Sequence, residues 1–347
     1  MSAILKATRL PTSGPYPTLD PFLFCVYHKD LYPPDESVGK MQTKWPGNGS
    51  DFDSNLPYRM YHGDYIPGFP QHPHRGFETI TATMQGLVDH ADSMGNAGRY
   101  GEGDVQWMTA GEGVVHGEMF PLVHSDKDNT LRLFQIWLNL PKNNKMVKPS
   151  FAMFWENDVP VWNSEDGLAS VTAWAGNYFL GGKEQNSPPP DSWAANPEND
   201  VAVLHVVIKP GGSLVIPKAN QDRVNRSMYL VEGHANNAQV DGQVIKDKVC
   251  LTMDATKEVT IELPSESTDE VQFLLLQGKP IDEPVAQHGP FVMNTQSEIR
   301  DAFMEYSKTK FGGWPWPRDD MVFPQDKGRF ALIDGKESRP DESCSVE

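Results

Sequence analysis

Four residues in two short segments of the sequence carry side chains suited to binding a metal ion. His72 and His74 are two residues apart, and so are His116 and Glu118. Residues i and i+2 of a β-strand project from the same face of the strand, so each pair can converge on one point. Two such strands that face each other inside a barrel would place three imidazoles and one carboxylate around a single ion.

The donor types indicate which metal such a site would hold. Neutral imidazole suits Fe, Ni, Cu and Zn, and an added carboxylate favours a hard or borderline ion such as Fe(II). One histidine pair alone is more often a coincidence or a structural hydrogen-bonding pair. A second spaced pair, beyond a glycine-rich stretch, makes the metal site the better interpretation. We therefore expect one mononuclear ion, Fe(II) first, with Ni, Mn, Cu or Zn as alternatives, and no further cofactor.

Residues around the two pairs could complete the site. Glu78 follows His74 by four residues and could be a fifth ligand or could orient an imidazole. Arg75 is expected to be a structural cation or a partner of a ligand. His90 and Asp92 also share a strand face, but they lie in a glycine-rich stretch, and a hydrogen-bonded turn is the preferred interpretation. The apolar candidates for the lining of a dry cavity are Phe77, Trp107 and Met119.

Alternating apolar residues predict that most of the chain forms short β-strands. One helix is predicted after Thr295, because Thr295 and Glu298 form a capping box and apolar residues follow at helical spacing. Strands this short, in a chain with 29 Gly and 29 Pro, are typical of a sandwich or barrel. The predicted strands cover residues 77–87, 131–140, 201–208, 213–216, 228–231, 249–253, 258–263 and 271–276.

A weak internal repeat suggests that the 347 residues form two related barrels. Residues 81–86 resemble residues 228–233, and the second copy has no histidine at the positions of His72 and His74. Only the first barrel would then bind metal. The expected organisation is an N-terminal metal-binding barrel at 1–141 with a long loop insertion at 27–67, a linker at 142–149, a C-terminal barrel at 150–324 and a loose tail at 325–347.

Composition and charge limit the partners and the compartment. The chain has 47 acidic and 30 basic residues, which gives a net charge of −17 and disfavours direct binding to nucleic acid. Cys25, Cys250 and Cys344 show no paired spacing, which fits a reducing compartment, and Cys25 and Cys250 are expected to be buried. No apolar run suits a membrane span or a signal-peptide core, so we expect no membrane association and a cytoplasmic or nuclear protein.

Longer segments of the sequence resemble the pirin family of the cupin superfamily. The matching segments are residues 20–23, 68–79, 103–119, 135–141, 287–295 and 311–316. The resemblance implies an all-β bicupin fold, in which two jelly-roll barrels pack face to face and the N-terminal barrel holds iron. It also implies that His72, His74, His116 and Glu118 are the ligands, with the carboxylate taken from the second motif rather than from the region of Glu78.

The resemblance implies two functions. The first, which we favour, is that of a quercetinase, a quercetin 2,3-dioxygenase-type oxidoreductase that uses O₂ to open a flavonol and releases CO. Glu118 would then be the general base. The second is that of a non-catalytic, iron-dependent and redox-sensitive transcriptional co-regulator that binds a protein partner such as a transcription factor. A Zn-dependent sugar isomerase on a similar barrel is less favoured, because the pirin segments match better.

Overall fold

The computed structural model describes residues 2–34, 44, 45 and 47–341, which form two compact units. Unit I comprises Thr12–Pro15, Val26–Asn157 and Glu283–Glu347. Unit II comprises Met1–Pro11, Tyr16–Cys25 and Asp158–Asp282. Each unit therefore draws on segments that are far apart in the sequence.

Extended structure dominates both units, as the alternation of apolar residues predicts. The one α-helix of the described residues is α1 (Gln296–Thr309), and short 3-10 turns occur at Lys142–Asn144, Trp193–Ala195, Pro197–Asn199, His234–Asn236 and Lys310–Gly312. The strands are β1 (Ile4–Arg9), β2 (Phe22–Tyr32), β3 (Gly68–His74), β4 (Phe77–Gln85), β5 (Leu87–Asp92), β6 (Ala97–Gly101), β7 (Val105–Thr109), β8 (Val114–Met119), β9 (Asn129–Asn139), β10 (Ser150–Phe154), β11 (Val161–Asn163), β12 (Ala169–Ala175), β13 (Ala202–Ile208), β14 (Ser213–Ile216), β15 (Asn225–Glu232), β16 (Gln239–Val240), β17 (Gln243–Val244), β18 (Val249–Asp254), β19 (Val259–Glu262), β20 (Val271–Gly278), β21 (Ala286–His288), β22 (Phe291–Met293), β23 (Phe330–Ile333) and β24 (Lys336–Ser338).

Unit I contains two antiparallel sheets whose inner faces meet. A five-stranded sheet has the order β10-β7-β4-β9-β2, and a six-stranded sheet has the order β24-β23-β6-β5-β8-β3. The inner faces are identified by a hydrogen bond between the sheets, which the Thr81 hydroxyl of β4 donates to the Glu118 carboxylate of β8. Side chains alternate across each strand, so this contact fixes which residues of both strands point inward.

Unit II is a second two-sheet barrel with an apolar interior. A seven-stranded sheet of order β1-β18-β15-β20-β13-β12-β11 covers a four-stranded sheet of order β14-β19-β16-β17. Between them lies a buried cluster that includes Val171, Leu204, Leu230, Ile261 and Phe273. Complete burial of each such side chain contributes about 1.5–3 kcal/mol to stability. The two barrels predicted from the sequence are thus confirmed.

Helix α1 begins where the capping box predicts. The Thr295 side chain accepts a hydrogen bond from the Glu298 backbone N–H, and the Glu298 carboxylate accepts one from the Thr295 backbone N–H. The helix buries Ile299 and Ala302 against the hairpin of β21 and β22, where Phe291 is completely buried. The helix therefore serves as a cover for unit I, to which both the hairpin and the helix belong.

The division into units differs from the boundaries expected at residues 1–141 and 150–324. Strand β1 pairs with β18, so the first residues complete a sheet of unit II. At the other boundary, β10 pairs with β7 of unit I, and the residues from Glu283 onward also belong to unit I. The sequence boundaries differ because strand pairing between distant residues cannot be recognised from local composition. Such pairing also covers strand edges that would otherwise be exposed.

The expected linker at 142–149 is in fact anchored inside unit I. The buried Lys145 ammonium donates hydrogen bonds to the Gly76 carbonyl, the Asn139 side-chain oxygen and the Val292 carbonyl, at 2.8, 2.7 and 3.3 Å. Burial lowers the pKa of Lys145 to about 8. A buried cation with three acceptors fixes this segment, because breaking those bonds would leave buried polar groups unpaired.

Strands also occur within the expected tail and the expected insertion. Strand β23 pairs with β6, so the expected loose tail at 325–347 is structured as far as residue 341. Within the expected insertion at 27–67, residues 27–32 belong to strand β2. Residues 35–43, 46 and 342–347, which include Cys344, lie outside the described residues. Cys25 and Cys250 are buried, as predicted.

Within the described residues, no helix combines the length and the apolar character that a membrane span requires.

Candidate metal centre

Two neighbouring strands bring the three histidines together. Strands β3 and β8 are antiparallel, and His72 lies directly opposite His116 in their register. His74 lies two residues beyond His72 and therefore projects from the same face. A register shift between Phe69 and His72 marks a bulge just before the first ligand position. A bulge changes the direction in which neighbouring side chains point, and this one lies immediately before His72.

The three imidazoles form a compact group. Their ring centroids are 4.5 Å apart for His72 and His116, 4.7 Å for His72 and His74, and 4.9 Å for His74 and His116. One nitrogen from each ring can be chosen so that all three lie within 4.8 Å of one another. The three histidines converge as the sequence predicts and could hold a metal ion, but the expected arrangement of two strands that face each other is wrong, because β3 and β8 are neighbours in one sheet.

The protonation state of the group suits metal binding. Burial lowers the pKa of His72 to about 4 and lowers the pKa of His74 and of His116 well below the ordinary value. The imidazoles are therefore neutral at physiological pH, as metal ligation requires. Among the described residues, His74 Nδ1 and both ring nitrogens of His116 are buried without a hydrogen-bond partner. Buried polar atoms normally have partners, so these nitrogens are suited to bind a metal ion.

Glu118 lies beside the histidine group. Its Oε2 atom is 3.8 Å from His116 Nε2. The Gln135 amide donates to Oε2 at 2.8 Å, and the Thr81 hydroxyl donates to Oε1 at 3.1 Å. Burial raises the pKa of Glu118, while His90 and these two donors act in the opposite direction. The carboxylate is thus held on the inner face by two neutral donors.

The inner face of β9 is partly open to solvent, unlike its outer face. Gln135 and Trp137 point inward and are half-buried, whereas the outward Ile136 and Leu138 are completely buried. The Trp137 ring lies 5.3 Å from the His74 ring, and His72 is itself half-buried. The inner face of β9 is therefore partly exposed at Gln135 and Trp137, on the side where His72 is also half-buried.

Comparisons with known proteins identify relatives of this chain. Residues 10–138 match the Pirin family, and residues 203–312 match the Pirin C-terminal cupin domain. A pirin-like protein from Solanum lycopersicum is 36% identical over 245 residues, which cover 71% of this chain and 77% of the relative. The chain belongs to the pirin family.

Two further comparisons concern proteins named for an activity. A Pseudomonas aeruginosa protein named "Putative quercetin 2,3-dioxygenase" is 34% identical over 246 residues, which cover 70% of this chain and 79% of the relative. The solved structure of quercetin 2,3-dioxygenase from Acinetobacter baumannii superposes with a TM-score of 0.69 at 24% identity, over 90% of this chain and 99% of that chain. The second comparison supports the bicupin fold.

Two of the predicted lining residues and the predicted extra ligand lie on outer faces of the sheets. Glu78 pairs with Thr109 and accepts a hydrogen bond from its hydroxyl at 2.7 Å, on the face of β4 opposite Thr81. Trp107 is on that same outer face, since it pairs with Ile80. Met119 follows Glu118 directly and therefore projects from the other face of β8. Of the predicted lining, Phe77 does face the site, 5.1 Å from the His74 ring.

Arg75 is turned toward helix α1 rather than toward the histidines. Its guanidinium donates to the Glu112 carbonyl and, at 2.9 Å, to the Glu305 carboxylate. The same group lies 4.4 Å from the centre of the Phe311 ring. These contacts support the prediction that Arg75 is a structural cation, because its side chain links the end of β3 to helix α1.

The sequence analysis did not identify Thr81, Gln135 and Trp137 as members of the site. Thr81 lies in the strand predicted at residues 77–87, but which face of the sheet its side chain occupies depends on strand pairing. His90 was interpreted as part of a turn, whereas it lies in β5 opposite Glu118, with its ring 5.4 Å from that of His116. Asp92 does cap the turn after β5, since its Oδ1 accepts from the backbone of Met94 and Asn96.

An aromatic cluster adjoins the histidine group around His28. His28 Nδ1 is 2.6 Å from the Tyr61 hydroxyl, which donates to Asp30 at 2.9 Å. Because the Tyr61 hydroxyl donates its hydrogen bond to Asp30, it can only accept from His28. His28 Nδ1 therefore carries a proton and donates a hydrogen bond to the Tyr61 oxygen. The Phe69 ring lies 6.1 Å from His28 and 6.2 Å from His72. Burial lowers the pKa of His28 to about 3, and the Arg59 cation contributes in the same direction.

We expect His28 to make the fold sensitive to acid. Between about pH 6.5 and about pH 3 the unfolded chain binds a proton at this position and the folded chain does not, so stability falls as pH falls through that range. At pH 5 the loss from His28 alone is about 2 kcal/mol. In His28→Asn, whose amide can replace the Nδ1 donor, the slope of unfolding free energy against pH should decrease by about 1.4 kcal/mol per pH unit.

Urea unfolding of the wild type and His28→Asn at a series of pH values measures this slope. The variant can differ in absolute stability without affecting the test, because only the pH dependence is compared. Equal slopes for the two proteins would show that His28 is not the neutral buried group described here.

Proposed function

We propose that this protein is a quercetinase, which uses O₂ to open a flavonol and releases CO. The observation that carries the proposal is the three-histidine group, which lies beside the half-buried Trp137 and has a carboxylate next to it. The name of the Pseudomonas aeruginosa relative supports the same reaction class. Both oxygen atoms of O₂ would be incorporated into the ring-opened product, and carbon 3 of the flavonol would leave as CO with its own oxygen, so no external reductant is needed.

The proposed ligands are His72, His74, His116 and Glu118, and Fe(II) is the first choice of metal. Three neutral imidazoles and one carboxylate suit a borderline ion of this kind, and Ni, Mn, Cu and Zn are the alternatives. When bound, the ion would supply Lewis-acid stabilisation of negative charge on a substrate oxygen and a path for electrons between flavonol and O₂.

Glu118 is the proposed general base. Its carboxylate would accept the proton of the flavonol 3-hydroxyl, which gives the anion that reacts with O₂. The Thr81 and Gln135 donors hold this carboxylate toward the inner face without adding a positive charge that would weaken it as a base. Proton transfer is thus assigned to a group whose position is fixed before substrate enters.

The half-buried Trp137 ring, which lies next to the histidines, would bind the flat substrate. Phe77 and Trp137 lie 4.3 Å apart between ring centroids, and both contact His74. Aromatic pairs of this kind favour a third planar ring through offset stacking and exclude water from the reacting atoms. Entry is expected on the side of the half-buried His72.

Anaerobic reconstitution with Fe(II), followed by quercetin and O₂, tests the proposal. Flavonol absorbance and CO are followed together, and equimolar loss of quercetin and release of CO are expected. Parallel samples with Ni, Mn, Cu and Zn determine which metal supports turnover. Stoichiometric iron binding without flavonol loss would contradict the enzyme and favour the iron-dependent co-regulator of a transcription factor. Failure to bind any of these ions would contradict the metal centre itself.

A further inference from the structure

The segment after helix α1 runs across the outer face of the metal-bearing sheet. We call residues 311–333 the strap. His116 and Glu118 point inward from β8, so Gly117 between them faces outward. The Trp314 ring covers that position, with its Cη2 atom 3.5 Å from where a side chain at Gly117 would begin. The strap therefore touches β8 at the residue between two proposed ligands.

A second contact of the strap is at the bulge of β3. The Gln71 backbone N–H donates to the Asp319 carbonyl at 2.9 Å, and the Gln71 amide donates to the Asp319 carboxylate at 2.8 Å. Gln71 immediately precedes His72. Strand β3 is at the edge of its sheet, so its outer edge has no continuous neighbour. Isolated bridges hold that edge at Gly68 and Arg75, and Asp319 holds it between them.

Further contacts fasten the strap to β5 and β6. The Trp316 ring N–H donates to the Asp92 carbonyl at 2.8 Å. The buried Arg99 forms a two-bond ion pair with Asp89, with both distances 2.7 Å. Its remaining donors bind backbone carbonyls of the strap at Phe323, Pro324 and Lys327, at 3.0, 2.8 and 2.7 Å. Charge-assisted bonds of this kind are about twice as strong as neutral ones, so the far end of the strap is firmly anchored.

We infer that the strap is a positioning element of the metal centre and that its attachment is thermodynamically coupled to metal binding. The inference rests on the proposed metal site. An edge strand with a bulge can shift along its free edge, and a small shift of Gln71 would move His72 relative to His116. The strap opposes that shift from outside the barrel, and a bound ion opposes it from inside. Linkage then requires that each strengthens the other by the same factor.

The test uses Asp319→Ala, with Asp320→Ala as a matched control. Asp320 is the adjacent carboxylate and binds Arg318 within the strap at 2.8 Å. Affinity for Co(II) is measured by competition with a chelator, together with the visible spectrum of the Co(II)-loaded protein. We expect Asp319→Ala to bind Co(II) about 10-fold more weakly and with an altered spectrum, since loss of an orienting partner costs 10- to 100-fold. Asp320→Ala should match the wild type in both respects.

Hydrogen exchange gives the reciprocal readout in the wild type. Loading with Co(II) should slow hydrogen exchange in residues 314–327. The expected factor is about the same as the factor by which detachment of the strap weakens Co(II) binding. Tight wild-type binding that is unchanged in Asp319→Ala, with strap exchange insensitive to Co(II), would overturn the coupling and leave the metal centre in place. No binding of Co(II) or Fe(II) by the wild type would overturn the metal centre, and the coupling with it.

Discussion

Replacement of His116 by alanine is expected to abolish both metal binding and flavonol turnover. His116 is the residue that joins the two strands, since it lies opposite His72 in the register and its ring is within 5 Å of both other imidazoles. Loss of a partner that merely orients a ligand costs about 10- to 100-fold in metal affinity, so loss of this ligand should cost at least about 100-fold.

The apo form of His116→Ala should fold nearly as well as the wild type. The change leaves a cavity, which is destabilising, but it also removes two buried ring nitrogens that have no partner among the described residues. The two effects oppose each other. A ligand at 1,000 times its Kd adds about 4 kcal/mol to the stability of a protein that binds it. His116→Ala should not gain this metal-dependent stability, because it should not bind the metal.

Thermal unfolding with and without Fe(II), under anaerobic conditions, separates these contributions. The wild type should gain stability with iron, and His116→Ala should not. His288→Ala is the control, since His288 is exposed and packs against Phe303. Metal affinity in His116→Ala within about 10-fold of the wild type would remove His116 from the ligand set, because a lost imidazole ligand costs more than that.

Local sequence patterns predicted eight of the 24 strands that the described residues form, and the start of the helix. The strand at Ser213–Ile216 was predicted with the same bounds that it has, and the capping box at Thr295 is formed as expected. These features depend on interactions within a few residues, which a sequence displays directly. The pairing of β1 with β18 depends on residues more than 200 positions apart, and neither strand carries a local signal for it.

The same distinction explains the outcome at the site. The convergence of His72 and His74 follows from i, i+2 spacing, which holds within one strand, whereas His116 joins them through the pairing of β3 with β8. The prediction for Glu78 extended that parity across Gly76, where the backbone has a φ of +86° and β3 ends. An added side chain at Gly76 would lie 2.0 Å from the Val292 carbonyl, so glycine is required at this turn. Beyond such a break, the face that a residue presents is decided by its new strand partners.

Replacement of Glu118 by glutamine is expected to lower kcat by about 10²- to 10⁴-fold at full metal occupancy, which is the usual contribution of a general base. The variant should fold normally, because the hydrogen bonds can be rearranged. The new amide can donate to the Thr81 hydroxyl, which can donate to the Gln135 side-chain oxygen 2.9 Å away. The new amide oxygen can still accept from Gln135. What is lost is the negative charge and the ability to take a proton.

Saturating metal distinguishes the two roles proposed for Glu118. If Glu118 acts only as a ligand, excess Fe(II) restores the turnover of Glu118→Gln once the metal content reaches that of the wild type. If it is also the base, kcat remains low at equal metal content, while the KM for quercetin changes little because the aromatic contact of Trp137 is intact. Glu112→Gln is the matched control, since Glu112 is an exposed carboxylate that precedes the same strand. Single-turnover rates measured beside iron analysis decide the question: a Glu118→Gln rate within tenfold of the wild type at equal iron would assign proton removal to another group.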